Sequence, residues 1–260
     1  MDASLEYTGE RIIPDLPECR PGTPIYETHL DRYRFAAAYA TGKTVLDIAC
    51  GVGYGAQYLV EHGAERVIGG DISPDAISYA EARYATPRTS FNVMSAEEIP
   101  LPASSVDCAV SMETIEHVPD AGRFLGELTR VLRPGGTLLI STPNRATYGS
   151  GRETPDNRFH TREYTLEEFR ALLGAHFERV TVFAQRRLVR SSPAGKGLDA
   201  LARRLRDRLG LRRLVPMRLR HLARTAADAY DPDSRVVPLQ AGDEPLFYVA
   251  VAEVAQKPSA

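Results

Sequence analysis

The feature that most limits what this chain can fold into is the run Thr44-Val45-Leu46-Asp47-Ile48, followed directly by Ala49-Cys50-Gly51-Val52-Gly53-Tyr54-Gly55. An apolar stretch that stops at a glycine turn calls for a buried strand, then backbone in conformations that side chains resist. Further on, Gly70-Asp71-Ile72-Ser73-Pro74 ends a second apolar stretch on an acid. Ser73 as N-cap and Pro74 at the first helical position open a helix there, running to about residue 84. Strand, glycine turn, helix, strand and acid together make half of a nucleotide-binding α/β sheet. An adenosine-bearing ligand is the expectation.

Gly51-x-Gly53-x-x-Ala56 also satisfies the loose dinucleotide fingerprint, whose glycines let backbone approach a pyrophosphate at a helix N-terminus. Asp47 opposes that reading. A pyrophosphate is anionic, and an aspartate just ahead of the first glycine adds a repulsion of about 1 kcal/mol or more at short range. A cationic ligand is favoured instead. S-adenosylmethionine carries a sulfonium and an ammonium, so Asp47 suits its methionine part while Asp71 suits the ribose hydroxyls. The plainer alternative leaves Asp47 as the cap of a buried turn.

The alternation continues along the chain. Residues 1–28 are proline-containing and aperiodic, and read as an extended arm with Ile12, Ile13 and Tyr26 as anchors. A helix over 26–39 follows, then strands at 44–48, 66–70, 90–93, 106–112 and 137–141, with helices at 56–62, 74–84 and 121–132 between them. Pro134-Gly135-Gly136 turns the chain into the fifth strand, and the box Thr165-Leu166-Glu167-Glu168 opens a helix to about residue 173. A sixth strand at 180–183 and an apolar run at 246–254 complete an α/β fold: a doubly wound, mostly parallel, seven-stranded Rossmann-like sheet. The division that follows is an arm and cap helix over 1–40, a cofactor-binding core over 41–186, a basic helical insertion over 187–244, and a final strand and tail over 245–260.

Within the insertion, Leu198, Leu201, Leu205 and Leu209 recur at helical spacing, and Leu214, Leu219 and Leu222 continue the stripe around Pro216. Arginine crowds residues 186–224, so the formal net charge of −2 hides a lopsided distribution. Two readings of that basic face stay open. It is the solvated side of a helical cap or homo-oligomer contact, or it receives an anionic substrate such as a nucleotide-linked sugar, a phosphorylated glycan or a membrane surface. Nucleic acid is disfavoured, because aromatic residues suited to base stacking are missing from the segment.

At 260 residues the chain can bury a sizeable core, and one α/β domain with an insertion accounts for it. No stretch approaches the roughly 18 consecutive apolar residues of a membrane span. Met1-Asp2-Ala3-Ser4-Leu5-Glu6 has neither a basic leader nor an apolar core, so a cytoplasmic protein without a transmembrane segment is expected. Cys19, Cys50 and Cys108 are scattered without metal-type spacing, which fits small buried thiols in a reducing compartment.

Val45-Leu46-Asp47-Ile48-Ala49-Cys50-Gly51-Val52-Gly53, Gly70-Asp71, Ser95-Ala96-Glu97, Val106-Asp107 and Arg133-Pro134-Gly135-Gly136 together resemble the class I S-adenosylmethionine-dependent methyltransferases. The resemblance runs from about residue 8 to residue 186 and resumes near the C-terminus. Tyr7-Thr8-Gly9-Glu10-Arg11 with His29-Leu30-Asp31-Arg32-Tyr33 resembles a bacterial subgroup associated with polysaccharide and glycosylated natural-product biosynthesis. It implies that Asp47, Ala49, Gly51, Gly53 and Asp71 meet the cofactor, with Ile72 against the adenine, Ser95 and Ala96 near its edge, and Met112 in the same set. It also implies an antiparallel last strand. Many members carry aspartate where Ser95 stands, which implies a weaker or backbone-made contact to the adenine amino group.

Methyl transfer is an in-line displacement at a carbon already activated by its sulfonium. The protein aligns, desolvates and, for a hydroxyl acceptor, removes a proton. Ligands of open α/β sheets gather past the strand ends, which points to Met112-Glu113-Thr114-Ile115-Glu116-His117, to Asn144 and to Asn157-Arg158-Phe159-His160-Thr161-Arg162-Glu163-Tyr164. A helical turn over 113–117 would put Glu113, Glu116 and His117 on one face. Three roles compete. His117 or His160, with Glu116, acts as general base on a hydroxyl. Or Glu113, Glu116, His117 and His160 hold a divalent metal that acidifies a vicinal diol, a set resembling the metal site of bacterial small-RNA 3′-end 2′-O-methyltransferases. Or Glu116 and His117 only orient the loop and the substrate. His29 on the entrance helix is a further candidate. The expected function is O-methylation of a sugar hydroxyl on a nucleotide sugar, glycan or glycosylated natural product. N- or C-methylation of a natural product, RNA 2′-O-methylation and a non-catalytic cofactor-binding partner subunit are the alternatives, since a fold and a cofactor do not dictate a reaction.

Overall fold

The computed structural model describes residues 11–148, 151–187 and 233–256. Along them run α1 (Pro24–Ala40), β1 (Thr44–Ile48), α2 (Tyr54–Glu61), β2 (Arg66–Asp71), α3 (Pro74–Tyr84), β3 (Thr89–Val93) and β4 (Val106–Ser111). The second half holds α4 (Ala121–Val131), β5 (Leu132–Pro143), α5 (Arg145–Tyr148), α6 (Leu166–Gly174), β6 (Arg179–Arg187), β7 (Val236–Pro238) and β8 (Pro245–Glu253). The strands form one sheet in the order β3-β2-β1-β4-β5-β8-β6-β7. The first five in that order pair parallel; β8 lies antiparallel between β5 and β6. The order reverses between β1 and β4, the switch point at which doubly wound sheets bind ligands.

Alternate residues of the central strands feed opposite faces. Val45, Val67, Val110 and Leu139 pack with Leu30, Ala36, Leu59 and Ile77 from α1, α2 and α3. On the other face, Leu46, Ala109, Leu138 and Ile140 pack with Phe124, Leu128, Phe169 and Leu173 from α4 and α6. Burial on both sides explains why β1 and β4 read as nearly unbroken apolar runs.

The fold class, the doubly wound order and the antiparallel final strand agree with expectation, while the strand number and the start of β5 differ. Among the described residues the sheet has eight strands, not seven. The extra one, β7, comes from the stretch read as a helical insertion and pairs with β6 through Phe183↔Pro238, Ala184↔Val237 and Gln185↔Val236. It lies at the sheet edge, where a proline's missing N–H does no harm. Strand β5 begins directly at the end of α4 and absorbs Pro134-Gly135-Gly136 as an irregularity: its register against β4 shifts between Val106↔Leu132 and Cys108↔Thr137, with Gly135 at φ 74. The leucine and arginine stripes of residues 198–224, and the oligomer contact or anionic landing surface read from them, lie outside the described residues. Among those described, no helix is long and apolar enough to cross a membrane, and Cys19, Cys50 and Cys108 are buried free thiols.

Candidate functional site

After β1 the backbone turns left-handed at Ala49 (φ 60), Gly51 (φ 57) and Gly53 (φ 85). For Ala49 this is a strained conformation, costing about 1 kcal/mol or more, of the kind that gathers at binding sites. Gly53 caps α2, and a Cβ there would stand 2.7 Å from the Phe91 ring. Neither conformation nor space admits another residue.

Asp47 is fully buried at the end of β1. The hydroxyl of Tyr33, reaching over from α1, donates to its carboxylate at 3.2 Å and 3.4 Å. Gly55 makes that reach feasible, since a Cβ at this position would come within 2.0 Å of the Tyr33 ring. Burial pushes the Asp47 carboxyl up to about 8, with the Tyr33 hydrogen bond opposing and the charge of Asp71 adding to the rise. A positive group placed against it restores the ionised form.

Asp71, at the end of β2, is held by backbone instead. Its Oδ2 accepts the Gly51 N–H at 2.9 Å, and its Oδ1 accepts the Ser73 N–H at 2.9 Å and Nη2 of Arg11 at 3.4 Å. Beside it Ile72 is 73% exposed and Val93 is 52% exposed. Two large apolar side chains left open on adjoining strand ends suit a flat ring laid across them. Ser95 accepts the Glu97 N–H at 3.2 Å, Ala96 packs against the core, and Met112 is buried on the α1 side of the sheet. A buried acid partnered by a neutral hydroxyl, an acid steadied by two amides, and an apolar step together fit S-adenosylmethionine. The ammonium, the ribose diol and the adenine each find a matching group.

Past the end of β4, residues 112–119 form turns, not the helix expected over 113–117. The cause is Glu113, which sits at φ 54. Its N–H donates to Ser141 Oγ at 3.0 Å, and its carboxylate accepts from the same hydroxyl at 2.6 Å. Its other oxygen lies 3.6 Å from Nη2 of the buried Arg32. Folded back against β5, Glu113 stands outside the cluster that its expected partners form, and the four-residue ligand set is corrected to three.

Glu116, His117 and His160 do converge: one ligand atom from each lies within 4.8 Å of the others. Glu116 is fully buried; Thr142 Oγ1 donates to its Oε2 at 3.1 Å, while Oε1 has no hydrogen-bond partner among the described residues. Burial, and then the charge of Glu113, hold its carboxyl well above the usual range. His117 Nδ1 lies 3.0 Å from the carbonyl of Phe159. A carbonyl only accepts, so Nδ1 carries the proton and Nε2 is the basic nitrogen. His160 Nδ1 donates to buried Glu163 at 2.9 Å, which fixes the same tautomer. The two imidazoles meet edge to face at 4.8 Å, and Tyr148 of α5 stacks on His160 at 5.7 Å. Thr161 ties the two loops together, its N–H and hydroxyl donating to the Glu116 carbonyl at 2.7 Å and 2.9 Å.

Other candidates fall away from this centre. Burial, reinforced by Arg32, holds His29 well below the usual imidazole range, and His29 is not in the cluster. Asn144 accepts the Ala146 N–H at 3.0 Å and donates to the Pro245 carbonyl at 2.9 Å, a structural task. A cleft of about 420 Å³ lined by Val118, Arg162, Tyr164, Glu168 and Leu172 contains neither imidazole and none of the cofactor loop. Sequence reasoning missed Tyr33 behind Asp47, Glu163 behind His160 and Arg11 on Asp71. Only Glu163 left a usable signal, an acid three residues beyond a histidine.

Residues 46–140 match the family described as Methyltransferase domain. A probable S-adenosylmethionine-dependent methyltransferase of Mycolicibacterium smegmatis is 43% identical over 173 residues, 66% of this chain and 65% of the relative. A probable S-adenosylmethionine-dependent methyltransferase of Mycobacterium tuberculosis, Rv3030, is 42% identical over 171 residues, 66% of this chain and 60% of the relative. The matched segment therefore spans less than two thirds of either relative. A solved S-adenosylmethionine-dependent methyltransferase from Mesorhizobium loti superimposes with a TM-score of 0.56, over 87% of this chain and 97% of that one, at 18% identity. That likeness establishes the fold.

Proposed function

From the premise that the chain carries a class I S-adenosylmethionine-dependent methyltransferase domain, we propose that it methylates a hydroxyl oxygen of a sugar. The acceptor is a nucleotide sugar, a glycan or a glycosylated natural product. The observation that carries this reading is His160, backed by buried Glu163 at 2.9 Å and facing His117. A sugar hydroxyl is a feeble nucleophile until its proton is taken, and a carboxylate-oriented imidazole is suited to take it.

Bound S-adenosylmethionine supplies a methyl carbon already activated by its sulfonium. Asp47 would hold the ammonium, Asp71 the ribose and Ile72 the adenine, with Ala49, Gly51 and Gly53 shaping the loop and Ser95, Ala96 and Met112 at the rim. His160 Nε2 would take the proton of the acceptor hydroxyl, leaving its oxygen free to receive the methyl group. Glu163 then steadies the imidazolium. The test is a panel of nucleotide sugars and glycosides, with S-adenosylhomocysteine release as readout. His160→Ala is expected to lower kcat by about 10²- to 10⁴-fold, with unchanged affinity for S-adenosylhomocysteine. Unchanged kcat would remove His160 as the base, and methylation of amines alone would overturn the hydroxyl reading.

A second reading is favoured by one observation. Each imidazole of the Glu116, His117 and His160 cluster already gives its other nitrogen's proton to a carbonyl or a carboxylate, the support that metal-binding histidines receive. In this reading the three side chains hold a divalent ion that acidifies a vicinal diol. Chelator dialysis would then abolish turnover and added Mn²⁺ or Zn²⁺ would restore it. Turnover indifferent to chelator leaves the histidine base.

A further inference from the structure

We propose that Arg11 leaves Asp71 when the cofactor binds and takes the cofactor's α-carboxylate, so that it distinguishes the whole cofactor from its adenosine part. The proposal rests on the cofactor fit described above. The side chain of Arg11 lies along the glycine loop: a Cβ on Gly51 would meet its Cγ at 3.5 Å and its Cδ and Nε at 3.8 Å. From there Nη2 reaches Asp71 Oδ1 at 3.4 Å, with the Arg11 side chain 27% exposed.

Counting lone pairs shows why this pairing gives way. An ionised carboxylate offers about four acceptor positions. The amides of Gly51 and Ser73 take one on each oxygen of Asp71, which leaves one on each for the 2′- and 3′-hydroxyls of a ribose. Arg11 sits on one of those two. A ribose that uses both displaces it.

The displaced guanidinium cannot travel far. Ile12 and Ile13, next in the chain, are buried, and Asp15 is tied to Tyr79 at 2.6 Å and to Arg83 at 2.7 Å on α3. With the backbone pinned, the new partner lies within side-chain reach of Gly51. With the ribose on Asp71 and the ammonium on Asp47, the methionine part of the cofactor, which also carries a carboxylate, would have to cross that loop. Asp47 suits the ammonium and repels the carboxylate. A guanidinium fork lying on the loop supplies the opposite charge, with bidentate geometry.

The test is calorimetry with two probes, S-adenosylhomocysteine and 5′-methylthioadenosine, the second lacking the amino-acid end. Arg11→Ala is expected to weaken S-adenosylhomocysteine binding about tenfold or more. Its binding of 5′-methylthioadenosine holds or tightens, because Asp71 has lost a competitor. Arg11→Lys recovers part of the loss. The proposal is overturned if Arg11→Ala shifts both ligands together, or shifts neither. A wild-type protein that binds neither probe overturns the cofactor assignment itself, and the proposal with it.

Discussion

Asp47 and Asp71 are the same residue type at the ends of neighbouring strands, yet their surroundings give them opposite habits. Two backbone amides and Arg11 donate to Asp71, whereas Asp47 has the Tyr33 hydroxyl and a dry site that pushes it up to about 8. Below that value the ligand-free protein keeps a proton on Asp47. An ammonium prefers the ionised form, so each binding event expels that proton and affinity grows as pH rises. For S-adenosylhomocysteine the association constant should climb about tenfold per pH unit from about pH 6 and level off near the Asp47 value. Calorimetry across that range checks this, and Asp47→Asn should give a weak, flat profile. Tyr33→Phe removes the donor that favours the ionised form, so the levelling point should move to higher pH. Asp71→Ala should cost roughly 1 to 3 kcal/mol of binding if two ribose hydrogen bonds go with it. Unchanged affinity would exclude Asp71 from the site.

Whole elements bring these residues together, and the sequence announces them unequally. The box at Thr165 is present as read: Thr165 Oγ1 accepts the Glu168 N–H at 3.3 Å, and the Glu168 carboxylate accepts the Thr165 N–H at 2.8 Å. It starts α6, which sends Phe169 and Leu173 into the core. Thr165→Ala should therefore cost about 1 kcal/mol in chemical denaturation. Glu168→Ala should cost more, because Glu168 also pairs with Arg145 and Arg162. Strand β1 and helix α3 fall where periodicity and caps put them, since local chemistry alone sets their limits. The turn at 113–117 does not, because Ser141, distant in sequence, captures Glu113 from both its N–H and its carboxylate. No local pattern reports such a capture. Strand β7 is three residues long, too short for any period to register. The cofactor loop was legible because it is contiguous. The Glu116, His117 and His160 cluster was legible only as scattered candidates, since the Thr161 to Glu116 stitching that assembles it links separate loops.

Over the whole molecule, the buried acids make stability depend on pH in a direction opposite to that of ordinary paired carboxylates. A carboxyl whose folded value is raised keeps a proton that the unfolded chain has lost, so stability falls as pH rises between the two values. Asp47 spans 3.8 to about 8, and Glu116 acts in the same direction. Glu127, Glu168 and Asp233 are lowered by arginine and backbone partners, so their contributions change only at and below the usual carboxylate range. His29 is held below its ordinary 6.5; the unfolded chain takes its proton below that pH, and stability gains as pH rises to 6.5. The opposing trends meet below 6.5, and above it the raised acids act alone. Between about pH 6.5 and pH 8, each group still holding its proton should lower stability by about 1.4 kcal/mol per pH unit. Each kcal/mol is worth about 2 to 4 °C in a domain of this size. Scanning calorimetry of the ligand-free protein should thus show Tm falling by several degrees across the window. Asp47→Asn should make the slope shallower by one group's share. Saturating S-adenosylhomocysteine should do the same, because an ammonium against Asp47 leaves no proton for the folded state to retain. A Tm that rises or stays level from pH 6.5 to pH 8 would mean that Asp47 is ionised in the native protein, and the pH-linked binding expected of it would fail as well.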